Sequence, residues 1–406
     1  MRQRRLLVLY HFFHPDQVVS ARIFSDLAEE QAKRGWEVTA LTCNRSHANP
    51  AESYPPDERW NGVQIQRLFR PAWSQKHPVP RLANSAWMLG AWFLRTLRLD
   101  AFDAVVIGSD PSFAAALAIP LRATRPETPL LHWCLDVYPD AVEAEWSGST
   151  RLLARPARAI MAAAYRRCDV VVDLGPCMRR RLEAYGGPPR RETLTPWALL
   201  EPEAPQESDP AVRREIFGDA QVGLLYAGSM SRPHDFDSLL QLARACRARA
   251  GDQIALCFAC TGTALPALKA AVRPDDTNVR FAAFTDEATL QRRLEAADFH
   301  VGSLRPEYTG VVVPSKFFAA LAVARPFIFA GTADASVAQW IRAHQVGMVL
   351  EPGRAADVAA RLLALKDDPA GLRATRAAAL ATYHRHFSKR LINDRWADLL
   401  ADSVRR

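Results

Sequence analysis

The chain lacks any uninterrupted run of the roughly 18 apolar residues that a membrane-spanning helix needs, so no segment of it reads as transmembrane. Its start, MRQRRLLVLYHFF, sets basic residues before an apolar run too short for a secretory signal and leads straight into a strand-turn-helix pattern. A cytoplasmic protein, soluble or peripheral on the inner membrane, is expected. Cysteine is sparse: seven residues, without the spacing of a disulfide framework, which fits a reducing compartment. Cys257 and Cys260 form a C-x-x-C, but IALCFACTG reads as a buried strand entering a glycine turn, and no second ligand pair follows at zinc spacing. No Asp-x-Asp stands at a strand end, so no metal is expected. There is no nucleic-acid reader motif and no aromatic-basic strand face, which argues against nucleic acid as a partner.

What is present is ordinary in bulk and uneven in charge. The 406 residues are 49% apolar and 24% charged, which suits a soluble enzyme of two domains. Of the net charge of +8, residues 1–200 carry +6, as 26 Lys/Arg against 20 Asp/Glu. Such an excess suits an anionic partner (lipid headgroup, diphosphate or nucleic acid) or is a solvated basic surface.

Short apolar runs alternate with amphipathic stretches. Leu6–Tyr10, Trp36–Thr42, Ala104–Gly108, Leu130–Cys134 and Val170–Leu174 read as buried strands, and Ser20–Arg34 as a helix ended by Gly35. Residues 194–210, rich in Pro and acid, break the pattern and read as a linker. The alternation then restarts with strands at Val222–Tyr226, Ile254–Ala259, Val279–Phe281 and Phe299–Val301. Two parallel, doubly wound α/β domains follow, with a cleft at their strand C-termini expected to hold ligands. The stretch Arg81–Arg98 sets Trp87, Trp92, Phe93 and Leu97 among arginines, which suits either a helix lying in a membrane interface or one packed on the sheet. The basic, Ala-rich Arg151–Arg167 has the same ambiguity.

Three loops at successive strand ends carry chemistry. YAGSMSRPHDFDSLL supplies Gly228 and Ser229, then Arg232 and His234, then a helix start at Asp235–Ser238; CTG supplies Gly262; TGVVVPSK ends in Lys316. Small residues let backbone amides approach a phosphate, and an arginine offers its oxygens a planar fork.

With these loops, the chain resembles the family 4 retaining glycosyltransferases of GT-B fold, and within them a subgroup from colanic-acid, O-antigen and exopolysaccharide clusters. HPDQVVSARIFSDLAEEQAKRGWEVTALT is similar to that family's first βαβ unit, HWCLDVYPD to its segment after a central strand, and RRCDVVVDLGPCMRRRL to its Ala-Asp-x-Val-Val strand. YAGSMSRPHDFDSLL and GVVVPSKFFAALAVARPFIFAG resemble the subgroup's donor loops most closely. The resemblance implies two Rossmann-like domains, 1–198 on the acceptor side and 199–385 for the nucleotide-sugar, with a C-terminal helix in 386–406 packing back on the first. It implies Arg232 and Lys316 on the donor diphosphate, with His234 where many members carry a lysine, so that its charge would depend on pH. Gly228, Ser229, Gly262, Glu307, Thr309, Gly310, Val313, Pro314 and Ser315 would line the donor. Asp136 is the acid expected at the sugar or acceptor, unless it is a turn acid before Pro139; His11, His14 and His132 are acceptor-side candidates.

The departures are specific. Of the two glutamates that the wider family carries around the donor helix, the second slot is Ala319, and the first falls near Thr309 to Val311, with Glu307 just upstream. Val18 and Val19 replace the first-loop glycines, and Leu135 replaces a common histidine. The implied reaction is retaining transfer from a UDP- or GDP-sugar to a lipid-linked or polysaccharide acceptor, metal-independent, with the leaving diphosphate helping to deprotonate the acceptor. The missing glutamates motivate one alternative, a catalytically silent GT-B scaffold that binds a nucleotide or a partner enzyme; a further one, another GT-B activity such as a nucleotide-sugar epimerase, leans on cleft acids and histidines that the sequence does not supply in an evident pattern.

Overall fold

The computed structural model describes residues 2–74, 77–144, 154–186, 190–283 and 287–405. Residues 151–153 of the basic stretch read above lie outside the described residues. The chain folds as two compact units: Met1–Thr195 with Ile392–Arg406, and Pro196–Leu391. The breaks expected from sequence were after 198 and 385.

The first unit holds β1 (Arg5–Leu9), β2 (Glu37–Cys43), β3 (Asp57–Trp60), β4 (Val63–Leu68), β5 (Ala104–Ile107), β6 (Leu130–Trp133), β7 (Val170–Asp173) and β8 (Arg190–Thr193). They form one sheet in the order β3-β4-β2-β1-β5-β6-β7-β8. The runs AVVI, LLHW and VVVD are buried throughout because helices cover both faces of such a sheet. One edge departs from the parallel expectation: β3 pairs antiparallel with β4. The turn between them is Asn61-Gly62, at φ 45 and 84, a pair of left-handed residues that matches the strand twist. That Asn-Gly pair between two strand-like runs was legible in the sequence and was not read as a hairpin.

The helix Pro78–Thr96 corrects the grouping of its aromatics. Trp92 is fully buried, with Met88, whereas Trp87 and Leu97 are 48% and 47% exposed. The four apolar residues therefore occupy opposite faces, since positions four apart share a face and positions five apart do not. The C-terminal helix Lys389–Val404 lays its later residues on the first unit. Trp396 packs edge-on against Trp133 at 5.0 Å, and Asp394 pairs with Arg34 at 2.6 Å.

The second unit holds β9 (Val222–Ser229), β10 (Ile254–Thr261), β11 (Val279–Phe281), β12 (Phe299–Ser303), β13 (Phe327–Ala330) and β14 (Gly347–Leu350), all parallel, in the order β11-β10-β9-β12-β13-β14. The first three strands wind one way from β9 and the last three the other way, the doubly wound arrangement with its reversal between β9 and β12. Cys257 and Cys260 are buried in β10 as free thiols. The segment after Pro196 is tied along this unit before the helix Pro210–Phe217: the Gln206 N–H donates to Glu295 Oε1 at 2.9 Å, and Arg325 donates to Gln206 O at 3.1 Å.

Candidate functional site

In sheets of this kind, ligands sit beyond the strand C-termini where the strand order reverses. In the second unit that point lies between β9 and β12. β12 ends in Ser303, whose Oγ accepts the Asp235 N–H at 2.9 Å and so fixes the start of the helix Phe236–Ala250. The Asp235 carboxylate caps that helix by accepting from the Asp237 and Ser238 N–H groups, so the Asp235-Phe236-Asp237 sequence is a helix start, with its first acid already engaged.

Lys316 is the first residue of the helix Lys316–Ala322 and reaches across the end of β9. Its Nζ donates to Ser229 O at 3.0 Å, stands 4.9 Å from the centre of the Tyr226 ring, and lies 3.5 Å from His234 Nε2. Tyr226 Oη donates to the same carbonyl at 2.8 Å. Gly228, at φ +113, makes room for the lysine, because a Cβ there would stand 3.3 Å from Lys316 Cε. Gly262, at φ +114, is required more strictly: a Cβ would meet Met230 O at 2.4 Å. Two glycines thus let the ends of β9 and β10 close beside an ammonium group.

The electrostatics follow from burial. Desolvation lowers the Lys316 pKa to about 8, so the ammonium form still predominates at neutral pH. Among the described residues no carboxylate pairs with it. Burial, reinforced by Lys316, lowers His234 to about 3. The pH-dependent charge expected of His234 is therefore absent: it is neutral at pH 7, and Lys316 is the cation. Arg232 is exposed on the loop that follows β9. A second arginine, not anticipated from the sequence, joins it there: Arg305 is exposed, donates from Nε to His234 O at 3.2 Å, and its N–H donates to Pro233 O at 2.8 Å. Its place just past β12 was the available signal.

The remaining donor-side positions run from β12 to the lysine. Glu307 is exposed on the turn Pro306–Tyr308, Thr309 Oγ1 shares a hydrogen bond with Thr332 Oγ1 at 3.0 Å, and Gly310 is buried at φ +77. Val313, Ser315 and Ala319 are half-buried and Pro314 is buried.

The first unit reverses between β1 and β5, and the residues after those strands meet. His11 Nδ1 is 3.1 Å from Asp110 Oδ2, and the His11 N–H donates to Asp110 O at 3.0 Å. Burial opposes protonation of His11, but Asp110, helped by Cys43, raises it to about 9. Its Nε2 is buried without a partner among the described residues. Ser109 Oγ accepts the N–H groups of Leu135 and Asp136 at 2.6 and 3.1 Å, which fixes the loop after β6. Burial, then the Asp110 charge, raises the Asp136 carboxyl to about 7. Asp110 thus acts on both His11 and Asp136; it was missed by the sequence reading, although GSDP follows a predicted strand.

The other two histidines lie elsewhere. His14 stacks on Trp60 at 4.4 Å, beside Glu58 on the β3 edge. His132 is a core residue: its Nδ1 is bonded to Ile107 O at 2.9 Å, and burial lowers it to about 4. A strand end predicts exposure poorly here, because His132 is one residue short of the end of β6.

Two family models match: a glycosyl transferase 4-like domain over residues 20–198 and glycosyl transferases group 1 over residues 221–368. No curated protein sequence matches. Among solved structures, sucrose-phosphate synthase from Thermosynechococcus elongatus is similar at a TM-score of 0.71 and 14% identity, covering 98% of this chain and 99% of that one. Alr3699/HepE of Anabaena, in complex with UDP and glucose, is similar at 0.69 and 16%, covering 98% and 100%. WaaG, a glycosyltransferase involved in lipopolysaccharide biosynthesis, is similar at 0.64 and 16%, covering 97% and 99%. Taken with the two doubly wound units, these matches make the chain a glycosyltransferase of GT-B fold, a 4-like domain followed by a group 1 domain.

Proposed function

We propose that the protein transfers a hexosyl or deoxyhexosyl group, with retention, from a UDP- or GDP-sugar to a lipid-linked or polysaccharide acceptor in bacterial surface glycan synthesis, without a metal. The observation that carries this reading is the Lys316 ammonium, held over the end of β9 beside two close-packed glycines and lacking a carboxylate partner among the described residues. A cation so placed is suited to a diphosphate, whose charge grows as the C1–O bond breaks. Arg232 and Arg305 on the adjoining loops supply forked donors for the same oxygens. Alr3699/HepE, similar in fold, has been crystallised with UDP and with UDP-glucose, which favours UDP here. In the transfer, the acceptor oxygen forms its bond to C1 on the face the diphosphate leaves, and the acceptor proton passes to a diphosphate oxygen. Asp136, with Asp110 and His11 beside it, is the acid proposed to hold the acceptor hydroxyl.

One observation favours a second reading, a silent nucleotide-binding scaffold: Ala319 stands where the wider family has a carboxylate, and Glu307 is turned out on an exposed turn. Incubating purified protein with UDP- and GDP-sugars and a membrane extract separates the two. Release of UDP or GDP with labelled glycolipid supports transfer; nucleotide binding without turnover on any extract supports the scaffold.

A further inference from the structure

The helix Pro78–Thr96 is apolar on both faces: Met88 and Trp92 are buried on its inner face, and its outward face is apolar as well. Across its middle, LANSAWMLGAWFL, the polar residues Asn84 and Ser85 are buried while Leu82, Trp87 and Leu94 are exposed. An ordinary amphipathic surface helix turns its polar face outward. Among the described residues ten large apolar side chains are exposed, and seven of them (Phe69, Trp73, Val79, Leu82, Trp87, Leu94 and Leu97) lie on this helix or close to its two ends. The patch is held together: Trp87 Nε1 donates to Phe69 O at 2.8 Å, the two rings meet edge-to-face at 6.2 Å, and Asn84 donates to Trp73 O at 2.9 Å. A concentration of apolar surface in one place marks something that covers it.

The charge around the patch identifies the covering partner. From Arg59 to Leu99 the sequence carries seven Lys/Arg and no Asp/Glu. Arg45, Arg81, Arg95 and Arg98 form no ion pair among the described residues, and Arg45 sits over the Phe69 ring at 5.7 Å. Paired on itself, this face would set arginines against arginines, which weighs against a second copy. An apolar stripe with tryptophans, rimmed by unpaired arginines, matches the acyl boundary and headgroups of an anionic bilayer. No helix among the described residues is long and apolar enough to cross a membrane, so the contact would lie along the surface.

We infer that the outer face of Pro78–Thr96, with Phe69 and Trp73, seats the first unit on an anionic lipid surface. The inference does not depend on the glycosyl-transfer reading, because it uses none of the residues assigned to donor or acceptor. The test is co-sedimentation of the full chain with vesicles of phosphatidylglycerol mixed into phosphatidylcholine, and with phosphatidylcholine alone. Binding to the anionic vesicles that weakens with salt is expected, with a loss of about tenfold or more in Leu82→Glu with Leu94→Glu. Arg81→Gln with Arg98→Gln, which leaves the apolar stripe intact, is expected to weaken anionic binding too, and serves if the leucine variant fails to fold. Lys316→Ala is expected to bind vesicles as the parent does, so loss of donor chemistry would not mimic loss of membrane contact. Absence of vesicle binding, binding unchanged in both double variants, or a self-association that the leucine variant abolishes would overturn the inference.

Discussion

Lys316 pays a desolvation cost that folding alone does not require. Its pKa is lowered from 10.5 to about 8, so its contribution to stability is present above about pH 10.5 and is lost as pH falls through 8. Lys316→Met is therefore expected to raise the melting temperature at neutral pH, as read by calorimetry, while weakening UDP binding by about tenfold or more, the scale of a charge-assisted hydrogen bond. The pH dependence of the parent has a definite sign: nucleotide affinity is flat below about pH 8 and falls above it as the ammonium group is lost, and Lys316→Arg extends the plateau. Asp136 titrates in the opposite sense. Its carboxyl, raised to about 7, stabilises the fold below its ordinary value and loses that contribution as pH rises through 7. Asp136→Asn should flatten stability between about pH 4 and 7, and lower the transfer rate without changing UDP affinity; a transfer rate equal to the parent's would remove Asp136 from the reaction.

Elements carry these residues to their places, and the elements were the most legible part of the sequence. Strands such as AVVI and VVVD are buried on both faces, so apolar continuity alone located them. Gly35 and Gly262 marked real chain turns, each at positive φ, whereas β9 runs on through Gly228 to Ser229. The site was legible only in part, because side-chain direction and burial are tertiary facts. His14 follows β1 in the same loop as His11, and His132 lies within β6, yet only His11 meets an acid across the reversal of strand order. Arg305 and Asp110 were missed because neither belongs to a motif: each matters through what a non-adjacent strand brings beside it. Trp92 was grouped with Trp87 on composition, but a five-residue spacing on a helix divides them. One element-scale test concerns the cap of Phe236–Ala250. Asp235→Ala should cost about 1 kcal/mol by chemical denaturation, while nucleotide affinity stays within about twofold of the parent's, because the backbone N–H bond from residue 235 to Ser303 Oγ survives the substitution and keeps the Arg232 loop anchored.

At the scale of the whole molecule, the chain passes from the first unit to the second at Thr195 and returns at Ile392. The returning helix completes the first unit's core through Trp396, buried against Trp133. Trp396→Ala should destabilise that unit by about 3–5 kcal/mol, read as an earlier unfolding transition, while leaving UDP affinity unchanged, since Lys316 and its neighbours all lie in Pro196–Leu391. A nucleotide affinity that fell with Trp396 would show the second unit's site to depend on the first unit's core.

The central claim is that the Lys316 ammonium group holds the diphosphate of a nucleotide-sugar. Calorimetric titration of UDP and GDP into the parent protein and into Lys316→Ala, at pH 7, tests it most directly. The account predicts that at least one nucleotide binds the parent and that its affinity falls about tenfold or more in the variant. Equal affinities in the two proteins, or no binding of either nucleotide to the parent, would contradict it.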